Sequence, residues 1–397
     1  MGVYEDLGLT PIINAAGSNT RLGGALMLPE VVEAMRGAAQ VSVSMEELQA
    51  AASRIIARAT GADAGYVTSG AAAALTLGTA ACMTGLDLKR IDRLPETTGM
   101  PDEVIIARDQ RNGYDHAIRA AGARLIEVGM NEVVSGAGVR PVEAWEYEVA
   151  ITERTAAIAY FARPGARPSV DSVINLARSH RVPVIVDAAA QLPPVENLRA
   201  YIAKGADLVC FSGGKALRGP QNTGILCGRR DLITAAAVQQ LDLDARWDCW
   251  EPPDTLLPKK DLPGLPRHGI GRGFKVSKES IVGLLTALQL FSPERVSEDI
   301  ARCRQLLHRL AERLAGIEGS ELTTTIPPAV DSYPRIQLKI GRSAAAAAKR
   351  LQYEGSPPVY VDLTDLDDGI LTVNAMNLTM GHLDTIARRL REAMTFS

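Results

Sequence analysis

Residues 206–215 read ADLVCFSGGK, and this stretch decides the fold class of the chain. Residues 208–211 within it form a continuous apolar run, typical of a strand buried on both faces, and a Ser-Gly-Gly turn follows that ends on Lys215. Residues 182–187, which read VPVIVD, end in the same way on Asp187. Because ligands of doubly wound sheets bind beyond the carboxyl ends of the strands, we expect both side chains at the functional edge of a parallel sheet.

The alternation of short apolar runs with helical patterns extends over roughly residues 45–250. This alternation is typical of α/β proteins, and it predicts an open, mostly parallel, doubly wound sheet with helices on both faces. Strands are expected at residues 104–107, 124–128, 156–161, 182–187, 206–211 and 224–227, and helices at residues 71–84, 114–121, 170–180 and 197–203.

A proline- and glycine-rich break follows at residues 251–273 and predicts a linker or an active-site loop. Beyond it, the patterns predict a smaller α+β domain with helices at residues 278–291, 297–317, 343–353 and 382–394 and strands at residues 335–340 and 369–374. We therefore expect an N-terminal segment lying on the large domain (residues 1–45), the large α/β domain (46–255), a loop (256–275) and a small C-terminal α+β domain (276–397).

The composition excludes several classes of protein. The chain of 397 residues has 43 basic and 46 acidic residues and a net charge of −3, so we expect neither nucleic acid nor a membrane surface as a partner. Its five cysteines are widely spaced without a CxxC pair, which predicts a reducing, cytoplasmic location. Residues 64–86 carry no charge but are rich in small residues, typical of a buried helix. The five histidines show no metal-ligand spacing, so no metal is expected.

An acid and a lysine at neighbouring strand ends are what pyridoxal 5'-phosphate (PLP) requires. The lysine forms a Schiff base with the cofactor, and the carboxylate keeps the pyridine nitrogen protonated. Residues 66–75, YVTSGAAAAL, supply a strand, a Ser-Gly turn and a strong helix former, so free N–H groups would face a phosphate at Ser69, Gly70 and Ala71. Ser212 adds a hydroxyl nearby. Each feature alone has an ordinary explanation, but their order along consecutive units favours the functional one.

Longer strings of residues resemble a known family. The chain is similar to the fold type I PLP enzymes, whose fold is aminotransferase-like, and within them to the selenocysteine synthase-like group that includes D-glucosaminate-6-phosphate ammonia-lyase. The strings that carry the resemblance are PIINAAGSNTRLGG (11–24), MEEL (45–48), TSGAAAAL (68–75), RNGYDHAI (111–118), VDAAAQLPP (186–194) and FSGGKALRGPQ (211–221).

The resemblance implies roles for single residues. Lys215 becomes the Schiff-base lysine and Asp187 the partner of the pyridine nitrogen, while Ser69, Gly70, Ala71 and Ser212 surround the phosphate.

Residues 111–116 are expected to pass over the cofactor ring. Gln110 stands where a stacking histidine is expected, so Tyr114, His116 and Arg111 are the candidates for that place, and helix packing explains Tyr114 and His116 equally well.

Three arginines are candidates for binding the anionic groups of a small amino-acid substrate. Arg21 and Arg272 lie in glycine-rich loops, and Arg111 lies in the segment over the ring. The planar guanidinium binds a carboxylate or phosphate with two hydrogen bonds. In the family such loops approach the active site of the neighbouring subunit, which implies a homodimer or larger homo-oligomer with shared sites. The alternative is that these arginines are solvated loop charges.

The resemblance favours α,β-elimination as the reaction. The expected enzyme is a carbon–nitrogen lyase of the ammonia-lyase type that converts a small 2-amino-3-hydroxy acid, such as a phosphorylated amino sugar acid, to a 2-oxo acid and ammonia. A racemase or aldolase of the same fold is one alternative. Selenium transfer to seryl-tRNA is another, disfavoured by the charge of −3 and by the start of the 11–24 string close to residue 1. A non-catalytic protein is disfavoured by the intact Lys215 and Asp187.

Overall fold

The computed structural model describes residues 2–132, 138–139, 142–241, 244–316, 321–325 and 333–394. The chain divides into two compact units. The large unit consists of Met27–Leu192 and Glu196–Leu290, and the small unit consists of Met1–Leu26, Pro193–Val195 and Phe291–Ser397.

The described strands follow the order of the chain. They are β1 (Ile13–Ala15), β2 (Ala64–Thr68), β3 (Glu103–Ala107), β4 (Arg124–Val128), β5 (Asn131–Glu132), β6 (Gly138–Val139), β7 (Thr155–Phe161), β8 (Val184–Asp187), β9 (Leu208–Ser212), β10 (Gly224–Gly228), β11 (Glu321–Thr325), β12 (Arg335–Lys339), β13 (Val359–Val361) and β14 (Ile370–Asn374).

The described α-helices lie between them. They are α1 (Val3–Asp6), α2 (Pro29–Ala39), α3 (Met45–Thr60), α4 (Ala71–Thr84), α5 (Leu88–Arg93), α6 (Asp115–Ala120), α7 (Ala144–Ala150), α8 (Val170–Ser179), α9 (Asn197–Ala203), α10 (Arg230–Gln240), α11 (Lys278–Leu290), α12 (Pro293–Leu314), α13 (Ala344–Tyr353) and α14 (Leu383–Met394). In the part of the chain that the structure describes, no helix has both the length and the apolar character needed to cross a membrane.

A seven-stranded sheet forms the core of the large unit, in the order β2-β10-β9-β8-β7-β3-β4. Neighbouring strands from β9 to β4 are parallel, and β10 runs antiparallel to both β9 and β2. The expected α/β class with a mostly parallel sheet is confirmed. Both faces of the sheet are covered, since β2, β3 and β10 are buried throughout. Strands of this kind are mainly apolar in sequence, which makes them predictable.

Side chains of α3 cover the free edge of β2. Gln49 accepts from the N–H of Val67 through Oε1 (3.1 Å) and donates to its carbonyl through Nε2 (2.9 Å). Ser53 Oγ accepts from the N–H of Gly65 (3.1 Å). An uncovered strand edge offers unpaired backbone groups to other chains. These contacts therefore satisfy backbone groups along the outer edge of β2.

The small unit has its own sheet and core. Strands β11, β12 and β14 form an antiparallel sheet, and β1 pairs in parallel with β13. Helices α12, α13 and α14 contribute buried leucines and alanines to the core.

The units differ from the expected division at both ends of the large domain. We expected all of residues 1–45 to lie on the large domain, but residues 1–26 belong to the small unit, because β1 finds its hydrogen-bonding partner in β13. We expected residues 276–397 to form the small domain, but α11 belongs to the large unit. Its Gly283 lets the helix approach Met35 of α2, whose Cγ would lie only 2.8 Å from an added Cβ.

Candidate active site

Lys215 lies in a closed turn that follows β9. The N–H of Gly213 donates to the carbonyl of Thr223 (2.8 Å), which joins the two ends of the turn. A Cβ on Gly214 would lie 2.5 Å from Cα of Gln221, so this approach of two backbone segments requires glycine. The turn therefore holds the lysine at a fixed place at the carboxyl end of β9.

Asp187 ends the neighbouring strand β8. It pairs with Cys210 of β9, so its carboxylate lies at the same sheet edge as the lysine turn. Its Oδ1 accepts a hydrogen bond from the N–H of Ala189 (2.9 Å), which fixes the orientation of the carboxyl group.

Burial dominates the electrostatics of this pair. It raises the pKa of Asp187, and the Ala189 N–H and the charge of Lys215 oppose the rise. Burial also lowers the pKa of Lys215, and the charge of Asp187 opposes that shift. Loss of solvent favours the neutral form of both groups. The lysine amine is thus easier to deprotonate than an amine in water, as a nucleophile or base requires.

The turn between β2 and α4 presents backbone N–H groups. Gly70 has a φ of 129°, a conformation that suits glycine, and it precedes the first residue of α4. Its carbonyl accepts from Oγ1 of Thr68 (2.9 Å) and from the N–H of Ala74 (3.0 Å). The N–H groups of the first helical turn, which begins at Ala71, have no acceptor within the helix, so they and the helix dipole can bind an anion.

Gly224 joins this turn to the lysine strand. On β10 it pairs with Thr68 on one side and with Ser212 on the other. A Cβ at this position would lie 2.4 Å from the carbonyl carbon of Gly70 and 2.6 Å from the nitrogen of Ala71. Only glycine permits this approach, which brings the turn Ser69–Ala71 and the Ser212 strand end to one edge of the sheet. The sequence analysis did not identify Gly224 as a site residue, because a glycine at the start of a predicted strand shows nothing of the turn that it contacts.

This edge fits the parts of PLP. It offers a lysine amine for an aldehyde, a buried carboxyl for a pyridine nitrogen and a helix N-terminus for a phosphate. Within the described ranges, no group of three or more His, Cys, Asp or Glu side chains could hold a metal ion.

Arg111 makes ion pairs within the large unit. Its guanidinium contacts the carboxylates of Asp115 and Glu127. Asp115 is 3% exposed, and although burial acts against ionisation, its hydrogen bonds and ion pairs with Arg111 and Arg119 lower its pKa. In this conformation two carboxylates already balance the charge of Arg111. Its expected role in substrate binding stays a prediction.

The two aromatic candidates for the cofactor ring face solvent in the single chain. Tyr114 is 60% exposed at the start of α6. His116 is also exposed, and its Nδ1 lies 3.1 Å from Nη2 of Arg119.

Arg21 and Arg272 belong to different units. Arg21 lies at the surface of the small unit, where Nη2 donates to the hydroxyl of Tyr353 (3.1 Å) and the guanidinium lies 5.6 Å from the ring centroid of Tyr360. Arg272 belongs to the large unit and lines a cavity there.

The cavity has a volume of about 670 Å³ and is lined entirely by residues of the large unit. Its cationic side chains are Arg272, Lys275 and Lys278, and its carboxylate is Glu46. Asn222 also lines it, next to the residue that closes the lysine turn. No periodic pattern in the sequence indicates this cavity, because its walls come from six separate stretches of chain. The cationic excess is suited to an anionic ligand.

Comparisons with known proteins identify relatives of the whole chain. The family described as L-seryl-tRNA selenium transferase (SelA) matches residues 12–250. The chain is 31% identical to a 5'-C-glycyluridine monooxygenase-decarboxylase from a Streptomyces species, over 98% of this chain and 92% of the relative. It is 29% identical to the D-glucosaminate-6-phosphate ammonia lyase of Salmonella typhimurium, over 98% of this chain and 97% of the relative.

A solved structure of D-glucosaminate-6-phosphate ammonia-lyase superimposes with a TM-score of 0.80 and 29% identity, covering 100% of this chain and 99% of that one. More distant solved structures, among them one with bound PLP, share the fold. The chain therefore has the aminotransferase-like fold type I of PLP enzymes, and its family and structural neighbours are PLP-dependent.

Proposed function

This chain belongs to the SelA family of L-seryl-tRNA selenium transferases, and from that membership we propose that it is a PLP-dependent carbon–nitrogen lyase. Its substrate is a small 2-amino-3-hydroxy acid that carries a second anionic group, as a phosphorylated amino sugar acid does. The reaction removes the β-hydroxyl as water, and hydrolysis then gives a 2-oxo acid and ammonia.

The observation that carries the proposal is the common sheet edge of Lys215, Asp187 and the Ser69–Ala71 turn. PLP, when bound, supplies an electron sink for negative charge at the substrate Cα. The Asp187 carboxylate holds a proton on the ring nitrogen, and the N–H groups before α4 bind the phosphate. Lys215 Nζ, whose pKa is lowered by burial, is the group that takes the Cα proton.

Two observations support the choice of substrate and reaction. The relative named as an ammonia lyase matches the chain over nearly its full length. The cavity beside the lysine turn is lined by Arg272, Lys275 and Lys278 and by the carboxylate of Glu46. Lys278 is paired with Glu279, so Arg272 and Lys275 provide the excess of positive charge over Glu46. This charge balance favours a substrate with an anion in addition to the amino acid carboxylate.

A second candidate is oxidative decarboxylation of an amino acid. It is favoured by the similarity to the monooxygenase-decarboxylase, at 31% identity over 98% of the chain. The two reactions differ in their co-reactant, since decarboxylation of this kind consumes O₂ and releases CO₂, whereas elimination needs neither. A racemase, an aldolase and a selenium transferase remain further outcomes of the same substrate screen.

The test is a product assay with purified protein and saturating PLP. Phosphorylated and unphosphorylated 2-amino-3-hydroxy acids are incubated under nitrogen and under air. We expect ammonia and a 2-oxo acid in equal amounts under both, and none from Lys215→Ala. Lys204→Ala is the matched control, because Lys204 forms an ion pair with Asp171 at the surface. Release of CO₂ only under air would replace elimination with the second candidate, and no product from any substrate would refute the lyase.

We also propose a cytoplasmic homodimer whose active sites are shared between subunits. Large hydrophobic side chains are exposed around α2, namely Val32, Val41, Val43 and Met45, and such a patch is typical of a protein interface. If Arg21 serves the partner's site, mixing inactive Lys215→Ala with inactive Arg21→Ala restores about a quarter of the wild-type activity, because one heterodimer site keeps both residues. No recovery in the mixture would show that each site is complete within one chain.

A further inference from the structure

Gln110 is buried at the functional edge of the sheet. It lies in the short turn that follows β3 and is 3% exposed. Its Oε1 accepts a hydrogen bond from the N–H of Phe161 (2.9 Å), the last residue of β7. Phe161 pairs in turn with Asp187 on β8. The amide of Gln110 therefore lies one strand from the carboxylate that holds the cofactor nitrogen in the proposed function.

The contact with Phe161 determines which way the amide points. A backbone N–H is a donor, so the atom that faces it must be the amide oxygen, and an exchange of Oε1 and Nε2 would place two donors against each other. Nε2 thus points away from Phe161. Within the described part of the chain, no atom accepts a hydrogen bond from this buried Nε2. Burying a donor without an acceptor is unfavourable, and each case in a native protein calls for a cause.

We propose that Gln110 is a ligand-binding residue whose Nε2 donates a hydrogen bond to an anionic oxygen of the molecule bound over Asp187. This inference rests on the proposed function. Two parts of the bound molecules offer such an oxygen, the hydroxyl oxygen attached to carbon 3 of the PLP ring and the carboxylate of the amino acid. In the strand order, Lys215 follows β9, Asp187 ends the neighbouring β8, and Gln110 follows β3 on the far side of β7. Gln110 therefore bounds the site on the side of Asp187 that is opposite to Lys215.

Two substitutions separate binding from structure. Gln110→Glu keeps an oxygen for the N–H of Phe161 but removes the donor, and Gln110→Met removes both at nearly constant volume. At pH 8 the glutamate is ionised and repels an anionic oxygen. Affinity for PLP is measured by absorbance in the absence of amino acid, and affinity for a non-reacting amino acid analogue is measured with the holoenzyme. Thermal unfolding of the protein without cofactor gives the structural effect.

We expect both variants to lose about tenfold in one of the two affinities, the size of one hydrogen bond. Loss at the PLP stage assigns the acceptor to the cofactor, and loss only at the analogue stage assigns it to the substrate. The Glu variant unfolds at a lower temperature than the wild type at pH 8, because its charge is buried. Its loss of ligand affinity shrinks as the pH falls, because burial lets its carboxyl group protonate and donate.

Wild-type affinities for both ligands in Gln110→Glu at pH 8 would overturn the inference and leave Gln110 with a structural role only. The same holds if Gln110→Met lowers the unfolding temperature but changes neither affinity. Failure of the wild-type protein to bind PLP at all is a different result, since it removes the proposed function and this inference together.

Discussion

Substitution of Gly224 by alanine tests, by geometry alone, the proposed phosphate site at the Ser69–Ala71 turn (the phosphate turn). The added Cβ lies 2.4 Å from the carbonyl carbon of Gly70, 2.6 Å from the nitrogen of Ala71 and 2.7 Å from the oxygen of Gly70. All three are backbone atoms, so no side chain can rotate out of the way. Gly224 itself is held on both sides by pairing with Thr68 and Ser212. The turn must therefore move away from β10.

The size of the effect follows from these distances. Carbon atoms pack best at about 3.5–4.0 Å, so the turn has to retreat by about 1 Å. Overpacking of this kind costs about 1–3 kcal/mol. Where the displaced atoms are the N–H groups that bind the phosphate, the cost is expressed as about a 5- to 150-fold loss of PLP affinity.

The assay compares PLP with pyridoxal, which lacks the phosphate. In Gly224→Ala we expect the affinity for PLP to fall by that factor and the affinity for pyridoxal to change far less, so that the advantage of PLP over pyridoxal shrinks. Because the comparison is made within one protein, a general loss of stability cancels. Gly264→Ala is the control, since no atom lies within 4 Å of its added Cβ. Equal losses for PLP and pyridoxal, or no loss, would refute the assignment of the phosphate to this turn.

Three further predictions concern charge. We expect Asp187→Asn to raise the unfolding temperature of the cofactor-free protein at pH 8 but to weaken PLP binding. Burial raises the pKa of Asp187 above its ordinary value of 3.8, so its ionisation lowers the stability of the wild type as the pH rises. The difference in unfolding temperature between variant and wild type therefore disappears towards pH 4. Burial lowers the pKa of Lys215 below its ordinary value of 10.5, so the unfolded chain binds this proton more tightly than the folded chain does. The stability of the folded protein therefore rises with pH. We expect the unfolding temperature, measured from pH 7 to 10, to rise more in the wild type than in Lys215→Met. Arg111→Ala leaves Asp115 and Glu127 without this partner; we expect a loss of about 1–2 kcal/mol in urea unfolding at pH 7, partly restored by Arg111→Lys, and an unchanged midpoint would contradict it.

Most strands of the large sheet were predictable because they are buried on both faces, whereas the edge strand β4 is partly exposed. Such strands are read as apolar runs without a need for alternation. β4 and α4 begin and end at the expected residues, and β9 is displaced by only a few positions. The order of the Ser69–Ala71 turn, Asp187 and Lys215 along the chain was predictable for the same reason, since each lies at or just after the end of a strand that the sequence predicts.

Other features depend on partners that are distant in sequence and could not be predicted. The pairing of β1 with β13 joins residues near opposite ends of the chain. No pattern within either segment predicts this partner. The inclusion of α11 in the large unit depends on the fit of Gly283 against Met35. The ion pair of Arg111 with Glu127 joins the loop after β3 to the neighbouring strand β4. The sequence alone does not show this pair, so Arg111 was predicted only as a cation available to a substrate.

The arrangement of the large unit also explains how one family can include relatives named for different reactions. In the proposed function, the sheet edge of Lys215, Asp187 and the Ser69–Ala71 turn supplies only what all PLP chemistry shares, a covalent anchor, a charge on the ring nitrogen and a hold on the phosphate. None of these three groups distinguishes loss of a hydroxyl from attack by O₂. That choice must be made by groups that reach the substrate beyond Cα. If the substrate extends from Lys215 into the cavity lined by Glu46, Asn222 and Arg272, the walls of that cavity offer such groups. The reaction should therefore change with substitutions there, while substitutions at the sheet edge abolish every reaction alike.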